Sequence, residues 1–165
     1  MILHAGLVAL RLGGFWRGAL ITGPSGIGKS DLALRSLDAG FRLVADDRTL
    51  VWSSGGRLYG RAPDALAGLI EAYGLGVVAE RAVAFAEILL MVRCAPAGVE
   101  IERMPEPRTE TLADVAIAVS FLDAREPSAP AKLRCALQQL GAGPQQAYQP
   151  TCRGGGDRAG TGDTR

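Results

Sequence analysis

Apolar positions gather in short runs separated by glycine, proline or charge, and their spacing changes along the chain. Ala19-Leu20-Ile21-Thr22 is a short apolar run ending at a glycine, which predicts a buried strand. Leu32, Ala33, Ser36 and Leu37 then recur at helical spacing, so a helix is predicted from about Lys29, with Gly40 placed to stop it. Phe41 to Ala45 predicts the next strand, ending at Asp46 and Asp47. Strand, helix and strand in so short a span form a crossover unit of a sheet packed on helices. Thr49 to Trp52 and Arg57 to Tyr59 flank Ser53-Ser54-Gly55-Gly56, a turn-rich joint that predicts a hairpin. Further strands are predicted at Ile88 to Val92, Val99 to Glu102 and Val115 to Val119. Ala129 to Leu140 predicts a last helix, with Ser128 as its cap and Leu133, Leu137 and Leu140 on one face.

The pattern fades at Gly141. From there the chain is rich in Gly, Pro, Gln and Thr with almost no apolar side chains, and it cannot offset the entropy of ordering. A folded domain over residues 1–140 and a disordered tail over 141–165 are expected.

Composition narrows the partners. A chain of 165 residues with 48% apolar and only 5% aromatic side chains suits one domain whose core is filled by Ala, Leu and Val. Eighteen basic against 17 acidic residues give no global attraction to nucleic acid or to an anionic membrane. Cys94, Cys135 and Cys152 are odd in number and lack CxxC spacing, which fits free thiols rather than disulfides or zinc. Met1 to Leu12 is apolar but carries His4 and Arg11 and lacks the layout of a signal peptide, and no apolar run approaches the ~20 residues of a bilayer span. A cytoplasmic protein is expected, without nucleic-acid or membrane partners.

The strongest chemical signal is Gly23-Pro24-Ser25-Gly26-Ile27-Gly28-Lys29-Ser30, which matches the P-loop pattern of glycine, four residues, then Gly-Lys-Ser. The glycines let backbone N–H groups turn inward, and the helix beginning near Lys29 aims its positive end at the same point. Lys29 is expected to reach the β- and γ-phosphates, and the Ser30 hydroxyl to ligate the Mg²⁺ bridging them. The loop indicates polyphosphate binding without choosing among ATPase, GTPase and kinase chemistry.

Asp46 and Asp47 follow an apolar run and so belong at the carboxyl end of a strand beside the loop. One of two such carboxylates can orient Mg²⁺ while the other accepts a proton from an attacking hydroxyl, and spacing leaves open which does which. Glu71 precedes Tyr73-Gly74-Leu75-Gly76-Val77-Val78, where alternating glycines imply a tight backbone path; it is either an addition to the metal shell or an exposed acid. His4, the single histidine, is either structural or catalytic.

Together, Gly23 to Asp31, Phe41-Arg-Leu-Val-Ala-Asp-Asp47 and Glu71-Ala-Tyr-Gly-Leu-Gly-Val-Val78 resemble the HPr kinase/phosphorylase catalytic domain. The resemblance runs from about His4 to Leu140 and looks like the short form of the family, which lacks an N-terminal domain. It implies an α/β fold, a P-loop-containing mixed β-sheet packed with helices, related to the PEP carboxykinase-like P-loop fold. It also implies a kinase that uses ATP and Mg²⁺ to phosphorylate a serine of the phosphocarrier protein HPr, regulating the phosphotransferase system, and a reverse reaction with inorganic phosphate. By position, Gly23 to Ser30 would bind the nucleotide phosphates, Asp47 would be the general base with Asp46 beside it, Glu71 would support Mg²⁺, and His4 would assist the catalytic aspartate.

Two departures stand out. The family signature reads Glu-x-Arg-Gly-Leu-Gly, whereas Tyr73 takes the place of the arginine, so a cation near the phosphates is missing. Phe121 to Pro127 stands where the long form has an arginine-rich segment, and Arg103 or Arg125 are the candidates to supply the charge. Neither phosphorolysis nor a hexamer is therefore carried over, while a homo-oligomer stays open. A nucleotide-binding regulator without transfer activity, or a kinase of small molecules, are the competing readings.

Overall fold

A computed structural model of the chain describes residues 1–141. The first strands are β1 (Ile2–His4), β2 (Gly6–Leu12) and β3 (Phe15–Thr22), followed by helix α1 (Lys29–Asp38) and strands β4 (Arg42–Ala45), β5 (Arg48–Ser54) and β6 (Arg57–Arg61). A 3₁₀ turn at Asp64–Leu66 leads to β7 (Leu69–Ala72) and β8 (Gly76–Ala79). The rest is β9 (Ala86–Cys94), β10 (Arg108–Leu112), β11 (Val115–Leu122) and helix α2 (Ala129–Gly141).

The mixed sheet runs β1-β5-β6-β9-β3-β2-β4, and β11 joins β9 and carries β10 at its outer edge; β7 and β8 pair separately. Strands β3 and β4 are both antiparallel to β2, which lies between them. The predicted strand-helix-strand crossover is thus present, with β2 inserted into it. Strands β1 and β2 are one path bent at Ala5, pairing with β5 before the bend and with β3 and β4 after it, and this curls the sheet on itself.

Both faces of the curl are buried, and the side chains of β2 divide between them at period two. Val8 and Leu10 face α1 and α2 with Ala19, Ile21, Leu32 and Leu133, whereas Leu7 and Ala9 face the interior of the curl with Leu20, Val51, Ile88 and Ile117. Room for Leu7 comes from two glycines: a Cβ on Gly18 or Gly60 would lie 2.9 or 2.6 Å from its methyl groups. In β9 the register to β3 shifts at Leu89, so Ile88 and Met91 share the inner face while Leu90, Val92 and Cys94 share the outer one.

Helix α1 ends as the glycine predicts. Gly40 adopts φ 94°, Phe41 N–H donates to Ser36 O at 3.1 Å and Gly40 N–H to Leu37 O at 3.1 Å, the two bonds of a Schellman cap. At α2 the cap differs from expectation. The Ser128 carbonyl accepts from Lys132 N–H at 2.9 Å, but its hydroxyl turns to Glu126 Oε2 at 3.4 Å.

The strand predicted at Val99 to Glu102 is absent: those residues lie in an irregular loop after β9, where Pro96, Gly98 and Pro105 interrupt the chain and Val99 is 55% exposed. Conversely β1, β2, β7, β8 and β10 form where no strand is predicted. The segment predicted as a disordered tail lies outside the described residues apart from Gly141, which closes α2.

Candidate functional site

Strands β3, β9 and β11 are mutually parallel, so their carboxyl ends meet at one edge of the sheet, and the glycine loop leaves β3 there. Gly23, at φ 148°, packs so closely on β9 that a Cβ would fall 3.1 Å from Cys94 Cβ and 3.3 Å from Cys94 O. Gly26 and Gly28 hold φ of 75° and 101°, the left-handed region that disfavours side chains. Gly28 precedes α1 without a side-chain cap, and its carbonyl accepts from Leu32 N–H at 2.9 Å. The first N–H groups of α1 therefore open onto the loop.

Lys29 is 7% exposed, and its ammonium donates to Gly23 O at 3.0 Å and Pro24 O at 2.9 Å. The positive charge is thus held inside the loop by the loop's own carbonyls. The next residue, Ser30, donates to Asp46 Oδ1 at 2.8 Å. Asp46 is buried at the end of β4, and its other oxygen accepts from Glu71 N–H at 2.9 Å. What joins Glu71 to this group is its peptide nitrogen; its side chain is exposed at the start of the β7-β8 hairpin.

Asp47 points elsewhere. Its φ of 60° is left-handed, and its carbonyl accepts from Ala5 N–H at 3.0 Å, at the bend between β1 and β2. This brings Asp47 Oδ1 within 3.1 Å of His4 Nδ1, with both side chains about half-exposed, and Arg48 Nε lies 3.9 Å from the other oxygen. Ser30, Asp46 and the Glu71 backbone are therefore joined beside the loop, while Asp47, one residue further along the chain, forms a second pair with His4.

Cys94 and Arg35 contribute to the site without a recognisable sequence signal, and Arg125, a candidate from the sequence, lies beside them. The Cβ and carbonyl oxygen of Cys94 form the floor beneath Gly23, and burial pushes the Cys94 thiol up to about 11, partly countered by the Lys29 charge. Arg35, from α1, pairs with Asp31 at 2.8 Å and donates to the carbonyls of Ala124 and Glu126, tying the turn after β11 to α1. In that turn the Arg125 backbone and side chain hold the Asp123 carboxyl below its ordinary range. Tyr73, in place of the signature arginine, is 99% exposed at the tip of the β7-β8 hairpin.

No group of three or more His, Cys, Asp or Glu side chains among the described residues forms a metal cage, and no described helix is long and apolar enough to cross a membrane.

The chain is similar over 61 residues to the HPr kinase/phosphorylases of Clostridium beijerinckii and Clostridium tetani, at 48% identity to each; the match covers 37% of this chain. It spans 20% of the length of those relatives. The fold is that of the Hpr(Ser) kinase/phosphatase from Coxiella burnetii, with a TM-score of 0.69 and 24% identity over 82% of this chain and 92% of that one. The model of the HPr Serine kinase C-terminal domain matches residues 3–87, from β1 through the glycine loop and both aspartates to β9. With just over half of its length under that match, the chain belongs to the HPr serine kinase C-terminal domain family.

Proposed function

We propose that residues 1–140 form a kinase unit that transfers the terminal phosphate of ATP to a serine of the phosphocarrier protein HPr. The observation that carries this reading is the separation of two consecutive carboxylates: Asp46 bonds to Ser30 at 2.8 Å, whereas Asp47 faces His4 at 3.1 Å. The curated relatives named HPr kinase/phosphorylase support the choice of acceptor.

Gly23 to Ser30 bind the polyphosphate through inward N–H groups and the start of α1, and Lys29 exchanges its two carbonyl partners for phosphate oxygens. The Ser30 hydroxyl and the Asp46 carboxylate are hard oxygen donors that fit Mg²⁺, an ion commonly held by one or two carboxylates together with substrate phosphates, and the exposed Glu71 carboxylate would have to turn inward to join them. When bound, Mg²⁺ supplies charge neutralisation at those phosphates. Asp47 accepts the proton of the acceptor hydroxyl as the serine oxygen attacks, and His4 keeps the carboxylate aimed by donating from Nδ1. General-base assistance of this kind is worth about 10²–10⁴ in rate.

The test is incubation of the protein with labelled ATP, Mg²⁺ and HPr from the same cell. Label on an HPr serine is expected, with Asp47→Ala reducing transfer at least about 100-fold while nucleotide binding persists. Transfer by Asp47→Ala at the parent rate would remove the general-base assignment. The exposed Tyr73 favours a second reading, a regulator that binds nucleotide without transfer. ATP binding with no labelled HPr would select it.

A further inference from the structure

We infer that Arg125 binds the polyphosphate chain of the nucleotide, as a guanidinium held at the rim of the phosphate loop. The inference rests on the phosphate-loop reading and assigns the cation missing at Tyr73 to a different element of the fold. A Cβ on Gly28 would lie 3.6 Å from Ala124 Cβ and 3.8 Å from Arg125 Cγ, so the stem of Arg125 reaches the last glycine of the loop. Arg103, the other candidate, stands exposed in the irregular loop after β9.

The turn that carries Arg125 is fixed to the helix that carries Lys29 and Ser30. Arg35 Nη1 donates to Glu126 O at 3.2 Å and Nη2 donates to Ala124 O, while Arg35 Nε pairs with Asp31 Oδ2 at 2.8 Å. Loop and turn therefore move together. The guanidinium is also oriented. Asp123 Oδ1 accepts from Arg125 N–H at 3.0 Å and from Nε at 3.2 Å, and Oδ2 accepts from Nη2 at 3.4 Å.

These side-chain contacts are long for charge-assisted bonds, and the Arg125 side chain is 54% exposed. A guanidinium has five donors in a planar fork, and Asp123 engages one edge, so a second anion can be bound without dismantling the first pair. Phosphate oxygens suit that fork geometrically, and the nearby N–H groups of Gly28 and α1 already favour an anion there.

The experiment is titration calorimetry of the full chain with inorganic tripolyphosphate and with ATP, for the parent, Arg125→Met, Arg125→Lys and Arg103→Met. Arg125→Met keeps most of the stem and removes the charge, and it is expected to weaken binding of both ligands about tenfold. Arg125→Lys keeps the charge and loses the fork, so it should recover part of the lost affinity at most, and Arg103→Met should match the parent. Parent-like binding by Arg125→Met overturns the inference and leaves the phosphate loop standing. Loss for ATP alone also overturns it, because the contact would then be to the nucleoside. An equal loss in Arg125→Lys supports the fork contact, whereas binding by Arg103→Met as weak as by Arg125→Met would point to a general loss of positive charge and overturns the inference. A parent that binds neither ligand brings down the phosphate-loop reading and this inference with it.

Discussion

Asp46 is buried with both oxygens bonded, while Asp47 next to it is half-exposed, because a left-handed backbone at Asp47 turns the chain between them. The two oxygens of Asp46 depend on single donors. Removing the Ser30 hydroxyl leaves one buried oxygen without its partner, which costs about 1–3 kcal/mol. Ser30→Ala should accordingly lower the urea midpoint with little change in slope, and an unchanged midpoint would refute this account of Asp46. The Cys94 thiol offers a pH readout. Burial raises its folded value to about 11 from the ordinary 9.0, so the unfolded chain loses the proton first as pH rises. Its contribution to stability is whole below pH 9 and declines as pH climbs toward 11. In the folded protein Cys94 should resist iodoacetamide at neutral pH while the exposed Cys135 reacts; rapid alkylation of Cys94 at neutral pH would contradict the burial argument. At this scale the glycine loop and both aspartates were legible from sequence, since loop pattern and strand end are local. Which aspartate meets Ser30 was not, because it is decided by φ at Asp47 and by the peptide N–H of Glu71, 25 residues away.

Helix α1 and its ends show how an element is set by a few positions. Gly40 has nothing within 4 Å of where a Cβ would stand, so Gly40→Ala creates no clash and tests the left-handed backbone alone. It should destabilise by about 1–2 kcal/mol in denaturant titration. A neutral effect would mean that the cap contributes little. The start and stop of α1 were readable because both lie in local glycines. Strand β2 was missed although its side chains alternate between faces, because both faces are apolar and period two disappears from the letters. At Val99 to Glu102 the opposite occurred: the letters alternate, but residues flanked by Pro96, Gly98 and Pro105 find no strand to pair with and stay irregular. Strand β10, Arg-Thr-Glu-Thr-Leu, is held to β11 at the sheet edge and shows no apolar run to announce it.

Across the whole molecule, closure of the curl depends on Leu7 entering between Gly18 and Gly60, two residues far apart in sequence and unremarkable by themselves. At Gly60 an added methyl would meet Leu7 at 2.6 Å, Ile88 at 3.0 Å and Thr49 at 3.2 Å. Gly60→Ala should therefore destabilise by about 1–3 kcal/mol, readable as a lower melting temperature. A melting temperature at or above the parent value would show that Leu7 repacks freely. The fold class was legible from the crossover around the loop. The curl was not, since it needs β1 and β2 to change partners at Ala5, a long-range choice.

The floor and rim of the glycine loop come from Cys94 and Ala124, synthesised long after Gly23 and Gly28. A nascent chain halted on the ribosome before β9 has emerged would carry every residue of the loop yet lack the surface that shapes it. Such a stalled chain should fail to retain polyphosphate, and capture should begin only once the turn after β11 has left the exit tunnel.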